Sequence, residues 1–253
     1  MVTSSGWEGM AAWYDDKQGD QGDLWHRALI DPMLMQVLGS VSGRRVLDLA
    51  CGNGYMARRL ARLGAQVIGV DASATIIERA RAREAREPLG IVYHVADAAH
   101  LDVLADHSVE VVVSNMALMD IADAAGAIRQ VARVLQRPGR FVASLSHPCF
   151  DVPGASAWLF ERMNWTTSVW RKVGRYREVF DSPIPWTGPV EGWQTPAYHR
   201  PLSWYVRALR AAGFALTAFE EPEPTEEFLA GSPSGAGIAE IPLHCVIEAV
   251  LQR

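Results

Sequence analysis

The sequence predicts an α/β fold organised on a mostly parallel sheet, and three observations carry that expectation. Residues 44–71, RRVLDLACGNGYMARRLARLGAQVIGVD, read as buried strand, glycine turn, helix and second strand. Parallel strands joined in this way need a right-handed crossover. Residues 109–114 form a mostly apolar run, the pattern of a strand covered on both faces. The chain has 253 residues, 49% of them hydrophobic and 21% charged, which suits one α/β domain with embellishments and a good core.

Composition also excludes. A net charge of −5 gives no electrostatic grip on nucleic acid. No apolar run approaches the ~18 residues of a membrane span, and residues 1–16 lack the basic and apolar regions of a secretory leader. Cys51, Cys149 and Cys245 are odd in number and scattered, so they read as free thiols in a reducing, cytoplasmic setting. No Cys/His spacing suggests a metal, and no internal repeat is visible.

In chain order, residues 7–38 read as helices broken by Gly19, Gly22 and Pro32, crowded with Trp7, Trp13, Tyr14, Trp25 and His26. Val46, Leu47 and Leu49 make the first strand. Cys51, Gly52, Asn53 and Gly54 then turn the backbone where a side chain would block close approach. Met56, Leu60 and Leu63 follow at helical spacing, Gly64 stops the helix, and Val67, Ile68 and Val70 lead to Asp71. Ser73 caps the next helix, whose buried side is Ile76, Ile77 and Ala80 and whose charged residues form a solvated face. Residues 91–95 are the third strand and 109–114 the fourth. Residues 122–135 are a helix, 136–139 a turn and 140–145 the fifth strand. Residues 202–212 are a helix and 214–219 a sixth strand. Residues 220–242, rich in Pro, Gly, Ser and acid, read as a mobile loop, and 243–251 as the last strand.

The glycine turn has two chemical readings. Gly52-x-Gly54-x-x-Ala57 fits the fingerprint that seats a pyrophosphate at a helix N-terminus, as in nicotinamide-dependent oxidoreductases. Asp48 opposes that reading. A carboxylate beside the turn repels a pyrophosphate but suits a ligand carrying an ammonium and a sulfonium. Asp71, at the tip of the second strand, can accept both hydroxyls of a ribose in either case. The bland alternative is that Asp48 caps the turn and Asp71 the following helix.

With Asp48-Leu49-Ala50-Cys51-Gly52-Asn53-Gly54 in place, the chain resembles the class I S-adenosylmethionine-dependent methyltransferases of small-molecule type. Ala50 stands where a first glycine is common. Further matches follow in the family's order: Gly69-Val70-Asp71, Ala96-Asp97-Ala98, Val111 to Asn115, and Leu135 to Arg140. The resemblance implies a Rossmann-like sheet of seven strands, six parallel and the last antiparallel, with helices on both faces and an aromatic-rich cap. It implies S-adenosyl-L-methionine as cofactor, held by Asp48, Ala50, Cys51, Gly52, Asn53, Gly54, Asp71, Ala72, Asp97, Ala98, Asn115 and Met116. Asp97 would bond the adenine amino group, and Asn115 and Met116 would touch the methionine part through their backbone. No Pro-Pro-aromatic sequence follows Asn115, which argues against methylation of adenine bases or glutamine side chains.

The acceptor side is read more coarsely. The resemblance places residues 1–40 over the cofactor as a helical cap, with Tyr14 as the preferred site residue. His147, in His147-Pro148-Cys149-Phe150, falls where the sheet edge meets the substrate. It is either a general base or a histidine bonded to backbone before Pro148. His199 is a second, weaker base candidate. His94 and His100 read as surface or packing residues. Residues 151–198 are too long for a plain connector. They hold Trp158, Trp165, Trp170, Trp186 and Trp193, and the nine tryptophans all lie outside residues 26–157. That distribution suggests an aromatic lid over the sheet's edge, suited to a flat small substrate, with a satellite core or dimer contact as the alternative. The expected activity is methyl transfer to O, N or C of a small aromatic or heteroaromatic metabolite of secondary metabolism. Its expected partner is that substrate, with no nucleic acid or membrane, and a homodimer is compatible with it. A non-catalytic binding protein is the rival of a different class.

Overall fold

The computed structural model describes residues 6–163, 166–186, 192–232 and 235–252; Trp165 and residues 1–5 of the expected cap lie outside them. Helix α1 (Trp7–Gln18) opens the chain. A π-helical turn, His26–Ile30, runs directly into α2 (Asp31–Leu38), with Pro32 in the first turn, where its missing N–H costs nothing. Then come β1 (Arg45–Leu49), α3 (Tyr55–Arg62), β2 (Gln66–Asp71), α4 (Ala74–Arg86), β3 (Val92–Val95), β4 (Val109–Asn115), α5 (Ala124–Val134) and β5 (Leu135–Ser146). The strand β5 begins five residues before the expected Arg140, because Leu135 already pairs with Val109 across an irregularity in the ladder.

The insertion is an antiparallel hairpin, β6 (Ser156–Met163) and β7 (Thr166–Val173), then four two-residue strands, β8 (Phe180–Asp181), β9 (Ile184–Pro185), β10 (Gln194–Thr195) and β11 (Tyr198–His199). The chain closes with α6 (Leu202–Ala211), β12 (Phe214–Glu220), α7 (Glu226–Gly231), α8 (Gly235–Glu240) and β13 (His244–Leu251).

Seven strands form one sheet in the order β12-β13-β5-β4-β1-β2-β3. Neighbours from β3 to β5 are parallel, while β13 runs antiparallel to both β5 and β12. Six strands therefore share a direction and the last opposes them, as the resemblance implies. Both faces are covered. Leu47, Leu49, Val112, Phe141 and Phe214 pack with Ile128 and Val131 of α5 and Leu209 of α6 on one side. Val46, Val67, Val111 and Val113 pack with Leu34, Met56, Leu60 and Ile77 on the other. Strand order reverses between β1 and β4, and the carboxyl edge at such a point is where open α/β sheets bind ligands.

Two expectations need correction. Residues 220–242 carry α7 and α8 rather than an unstructured loop. Thr225 caps α7, accepting from the Phe228 amide at 3.3 Å and donating to the Ala28 carbonyl at 2.7 Å. Phe228 is fully buried against Ala28, Leu29 and Ile30, with Trp25 edge-on at 4.9 Å. One apolar anchor in a Pro-, Gly- and acid-rich segment leaves no periodic signal.

The aromatic residues of the insertion, in turn, do not all face one site. Trp158 faces α8, where a Cβ on Gly237 would lie 3.1 Å from its ring. Phe160 and Trp170, on the β6–β7 hairpin, are more than half exposed. The segment that meets the N-terminal helix holds Trp186 and Trp193, whose rings pack edge-on against Trp7 and Trp13 at 5.7–6.2 Å. Alternation along a hairpin sends half its side chains to each face, so composition cannot tell which aromatics face a site.

Candidate functional site

A cavity of about 400 Å³ opens at the carboxyl ends of β1, β2 and β4. Its floor is the glycine turn, and Ala50, Gly52 and Gly54 all have positive φ (56°, 54° and 76°). Gly54 has a second reason to be glycine, since a Cβ there would sit 2.4 Å from the Tyr93 hydroxyl. Asp48, Ala50, Cys51, Gly52, Asn53, Asp71, Ala72, Asp97, Ala98, Asn115 and Met116 all line the cavity; Gly54 lies behind them.

Several of these side chains are already engaged. Asp71 accepts from the Gly52 amide through Oδ2 and from the Ser73 amide through Oδ1, each at 2.9 Å. Asp97 accepts from the Ala99 amide at 2.8 Å. Asn53 turns its amide away from the cavity, donating to Asp15 Oδ1 and the Gly19 carbonyl, both at 2.9 Å. Asn115 donates to Asp31 at 2.9 Å and to the Tyr55 hydroxyl at 2.6 Å. The Met116 amide is spent on Ser144 Oγ at 2.9 Å, so it has no N–H left for a ligand.

The helix α1 roofs this floor and is pinned to both α4 and the glycine turn. Glu8 accepts from the hydroxyls of Ser73 and Thr75 at the start of α4. Asp15, almost fully buried, takes Arg79 at 2.9 Å and Arg83 at 2.7 Å from α4, besides Asn53 from the turn. Trp7 and Tyr14 of α1 thereby face the cavity, with Pro196 and Tyr198 across from them.

Charge is the site's clearest property. Asp48, Asp71, Asp97, Asp120 and Asp123 line the cavity, and among the described residues no lysine or arginine does. Asp48 is 1% exposed, and its Oδ2 has no hydrogen-bond partner among the described residues. Burial, reinforced by Asp71 and Asp31 and opposed by a bond from the Ala57 amide, pushes its carboxyl up to about 7. Asp120 also holds an unpartnered oxygen, Oδ1. Burial drives it well above the usual carboxylate range, against hydrogen bonding from Trp7 and the charge of Arg200. Two buried carboxylate oxygens left without a partner, with no lysine or arginine in the described lining, suit a positively charged ligand. A pyrophosphate would be repelled.

Neither predicted base reaches this cavity. His147 is 2% exposed; its Nδ1 accepts the Cys149 amide at 3.1 Å and its Nε2 lies 2.9 Å from Glu221 Oε1. Both nitrogens are consumed in fastening the turn after β5. His199 gives Nε2 to the Tyr176 carbonyl at 2.9 Å and packs on Phe180. Sequence reasoning placed His147 by the strand end and His199 by resemblance alone, and missed the partners that hold both rings. It also missed Asp120, His26 and the roof clamp Asp15. The Asp23-x-x-His26 spacing was the available signal, because an acid just before a helix bonds the amide three residues on and so lies beside that residue's side chain.

Fold and cavity together define a Rossmann-like protein with an anionic ligand site at the carboxyl edge of its sheet. Residues 47–143 match a family described as a methyltransferase domain. The crystal structure of an S-adenosylmethionine-dependent methyltransferase from Mesorhizobium loti is similar with a TM-score of 0.74 at 30% identity, covering 87% of this chain and 96% of that one. The chain belongs to the S-adenosylmethionine-dependent methyltransferases, and S-adenosylmethionine is its cofactor. An uncharacterised protein of Mycobacterium tuberculosis is 34% identical over 122 residues, 48% of this chain and 44% of that protein. A ubiquinone biosynthesis O-methyltransferase of Brucella ovis is 37% identical over 109 residues, 42% of this chain and 43% of that enzyme. The match thus spans less than half the length of these curated relatives.

Two outcomes follow from the geometry. With Asp48 at about 7 in the folded chain and an ordinary value of 3.8, the folded state holds an extra proton between these values. Stability from this group therefore falls as pH rises from about 4 to 7. Asp48→Asn should remove that decline, so the ligand-free variant melts above the parent at pH 8 and not at pH 4 in a thermal-unfolding series. His147→Ala should lower unfolding free energy by about 1–3 kcal/mol, the cost of orphaned buried partners, while S-adenosylhomocysteine affinity in calorimetry stays unchanged.

Proposed function

We propose that the protein transfers a methyl group from S-adenosylmethionine to an oxygen, nitrogen or carbon of a small aromatic or heteroaromatic metabolite. The observation that carries this reading is the cavity whose charged lining is entirely acidic, with its unpartnered Asp48 oxygen, a lining that suits a nucleoside carrying an ammonium and a sulfonium. The cofactor supplies a methyl on a positively charged sulfur that is already a good leaving group.

The chain's own residues then bind, orient and exclude water. Asp48 holds the ammonium of the amino acid part. Asp71, with lone pairs remaining beyond its two backbone bonds, takes the ribose hydroxyls, and Asp97 takes the amino group of the base. Ala50, Cys51, Gly52 and Ala72 line the close approach that the turn permits, with Gly54 shaping it from behind. Ala98, Asn115 and Met116 flank the ends of the ligand. Tyr14 accepts from Gln18 Nε2 at 2.9 Å. Burial, with Asp23 and Asp120 nearby, holds its phenol protonated, so its own O–H is left to orient the acceptor rather than to deprotonate it.

Trp7, Tyr198, Pro196 and Ile121 supply the flat, apolar remainder of the wall, which favours an aromatic acceptor. Holding acceptor and methyl in line contributes about 7–11 kcal/mol in favourable cases, and no further electrophile is needed. The Brucella relative, named for O-methylation in ubiquinone biosynthesis, is in keeping with a small acceptor.

Labelled-methyl assays on a panel of phenols, anilines, indoles, proteins and nucleic acids test this reading. Transfer to at least one small aromatic compound is expected, and transfer confined to macromolecules would overturn it. In calorimetry, Asp48→Asn should weaken S-adenosylhomocysteine binding at least about tenfold, as a charge-assisted bond of about 1.5–3 kcal/mol implies. NADH should not bind.

A further inference from the structure

The cavity wall contains a histidine that the family motifs do not point to. His26 lines the wall and is only 8% exposed. It opens the π-helical turn before α2. Its ring packs edge-on against Tyr55 at 5.7 Å. Gly22 makes room for it, since a Cβ there would lie 2.9 Å from the His26 Cβ.

The tautomer follows from its partners. Asp23 Oδ1 lies 2.8 Å from His26 Nδ1 and also accepts the His26 amide at 3.1 Å. Lys17 sits 3.7 Å from the other Asp23 oxygen. Burial raises the Asp23 carboxyl, but the bond to His26 and the charges of His26 and Lys17 outweigh it and leave it at about 2. An ionised carboxylate only accepts, so Nδ1 must carry the hydrogen. The Gln18 amide nitrogen, at 3.3 Å from Nδ1, is then a neighbour and not a donor; its oxygen is fixed on the Asp23 amide at 3.0 Å. In the neutral ring Nε2 is then the nitrogen that carries the lone pair, and it has no hydrogen-bond partner among the described residues.

We propose that His26, oriented by Asp23, is the general base for an acceptor that carries an O–H or N–H, such as a phenol or an aromatic amine. This rests on the methyl-transfer reading and narrows it. As a lone pair of the acceptor atom X forms the X–CH3 bond, the methyl–sulfur bond breaks and its electron pair stays on sulfur, giving a neutral thioether. The X–H bond leaves its pair on X, and the proton passes to Nε2. The resulting imidazolium is balanced by Asp23, as in other carboxylate–histidine pairs. Asp23 is a positioning residue and His26 the catalytic one.

The test combines a spectroscopic and a kinetic readout. In long-range proton–nitrogen correlation spectra of the labelled protein bound to S-adenosylhomocysteine, neutral His26 should show a hydrogen on Nδ1 and a bare Nε2, with Nε2–H gaining population in Asp23→Asn. A hydrogen on Nε2 in the parent protein would overturn the proposal, whatever the acceptor panel gives.

With the phenol or aniline that scores in the panel, His26→Gln should lower kcat by about 10²–10⁴-fold, with KM and S-adenosylhomocysteine affinity within about twofold. The rising limb of the pH–kcat profile should vanish in this variant. Lys17, Tyr14, Tyr55, Asp23 and His244, the titratable groups facing His26, all remain in it. A nitro-substituted analogue that arrives ionised should recover the activity of His26→Gln. Equal losses on ionised and neutral acceptors would mean a merely structural histidine. Absence of any small-molecule acceptor would sink the methyl-transfer reading while leaving the tautomer measurement to judge His26.

Discussion

An unpaired carboxylate held under the end of β1 is the constraint on which the site depends. Asp48 costs the ligand-free fold stability, because it is buried and its Oδ2 has no hydrogen-bond partner among the described residues. A cation relieves that cost, so part of the ligand's affinity is strain removed from the protein. Asp71, Asp97, Asp120 and Asp123 extend the same field around the cavity. Where protein rather than bulk water surrounds these charges, each acts more strongly at a given distance. The arrangement distinguishes this turn from a dinucleotide site, which needs the opposite charge in the same place.

The roof is joined to the floor by polar contacts rather than by a large apolar seam. Asp15 collects two arginines from α4 and the Asn53 amide from the glycine turn, and Glu8 bonds the cap of that same helix. A single helix thereby sets Trp7 and Tyr14 over the cavity while reading the position of the turn beneath. The segment ending in Tyr198 is fastened from the other side. Arg200, nearly buried, donates to the carbonyls of Ile121 and Ala122 at 2.8 Å, which fixes the loop carrying Asp120. Charged side chains here act as rivets between backbone segments, and their hydrogen bonds compensate for the burial of their charge.

The histidines show where sequence reading reaches its end. His147 stands at a strand terminus beside the right motif, yet the following turn takes its Nδ1 and Glu221 its Nε2. His26 sits in a crowded aromatic segment with no motif, yet a carboxylate three residues earlier holds one nitrogen and leaves the other bare. Which nitrogen is free depends on ring rotation and on partners up to 74 residues away, and neither is written in local spacing.

The parallel sheet, the glycine turn and the acids at the ends of β1 and β2 were legible because each rests on local rules: apolar periodicity, positive φ at glycine and a fixed place beside a turn. Residues 220–242 and the insertion were not, since one buried Phe228 or an outward-facing Trp170 decides them through contacts distant in the chain. The cavity's sign was half visible in Asp48 and Asp71. Folding added Asp120 and excluded every described arginine and lysine from the wall. Side-chain identity belongs to the chain, but burial, direction and partnership arise only when separate segments converge, and the chemistry of this site lies in those three.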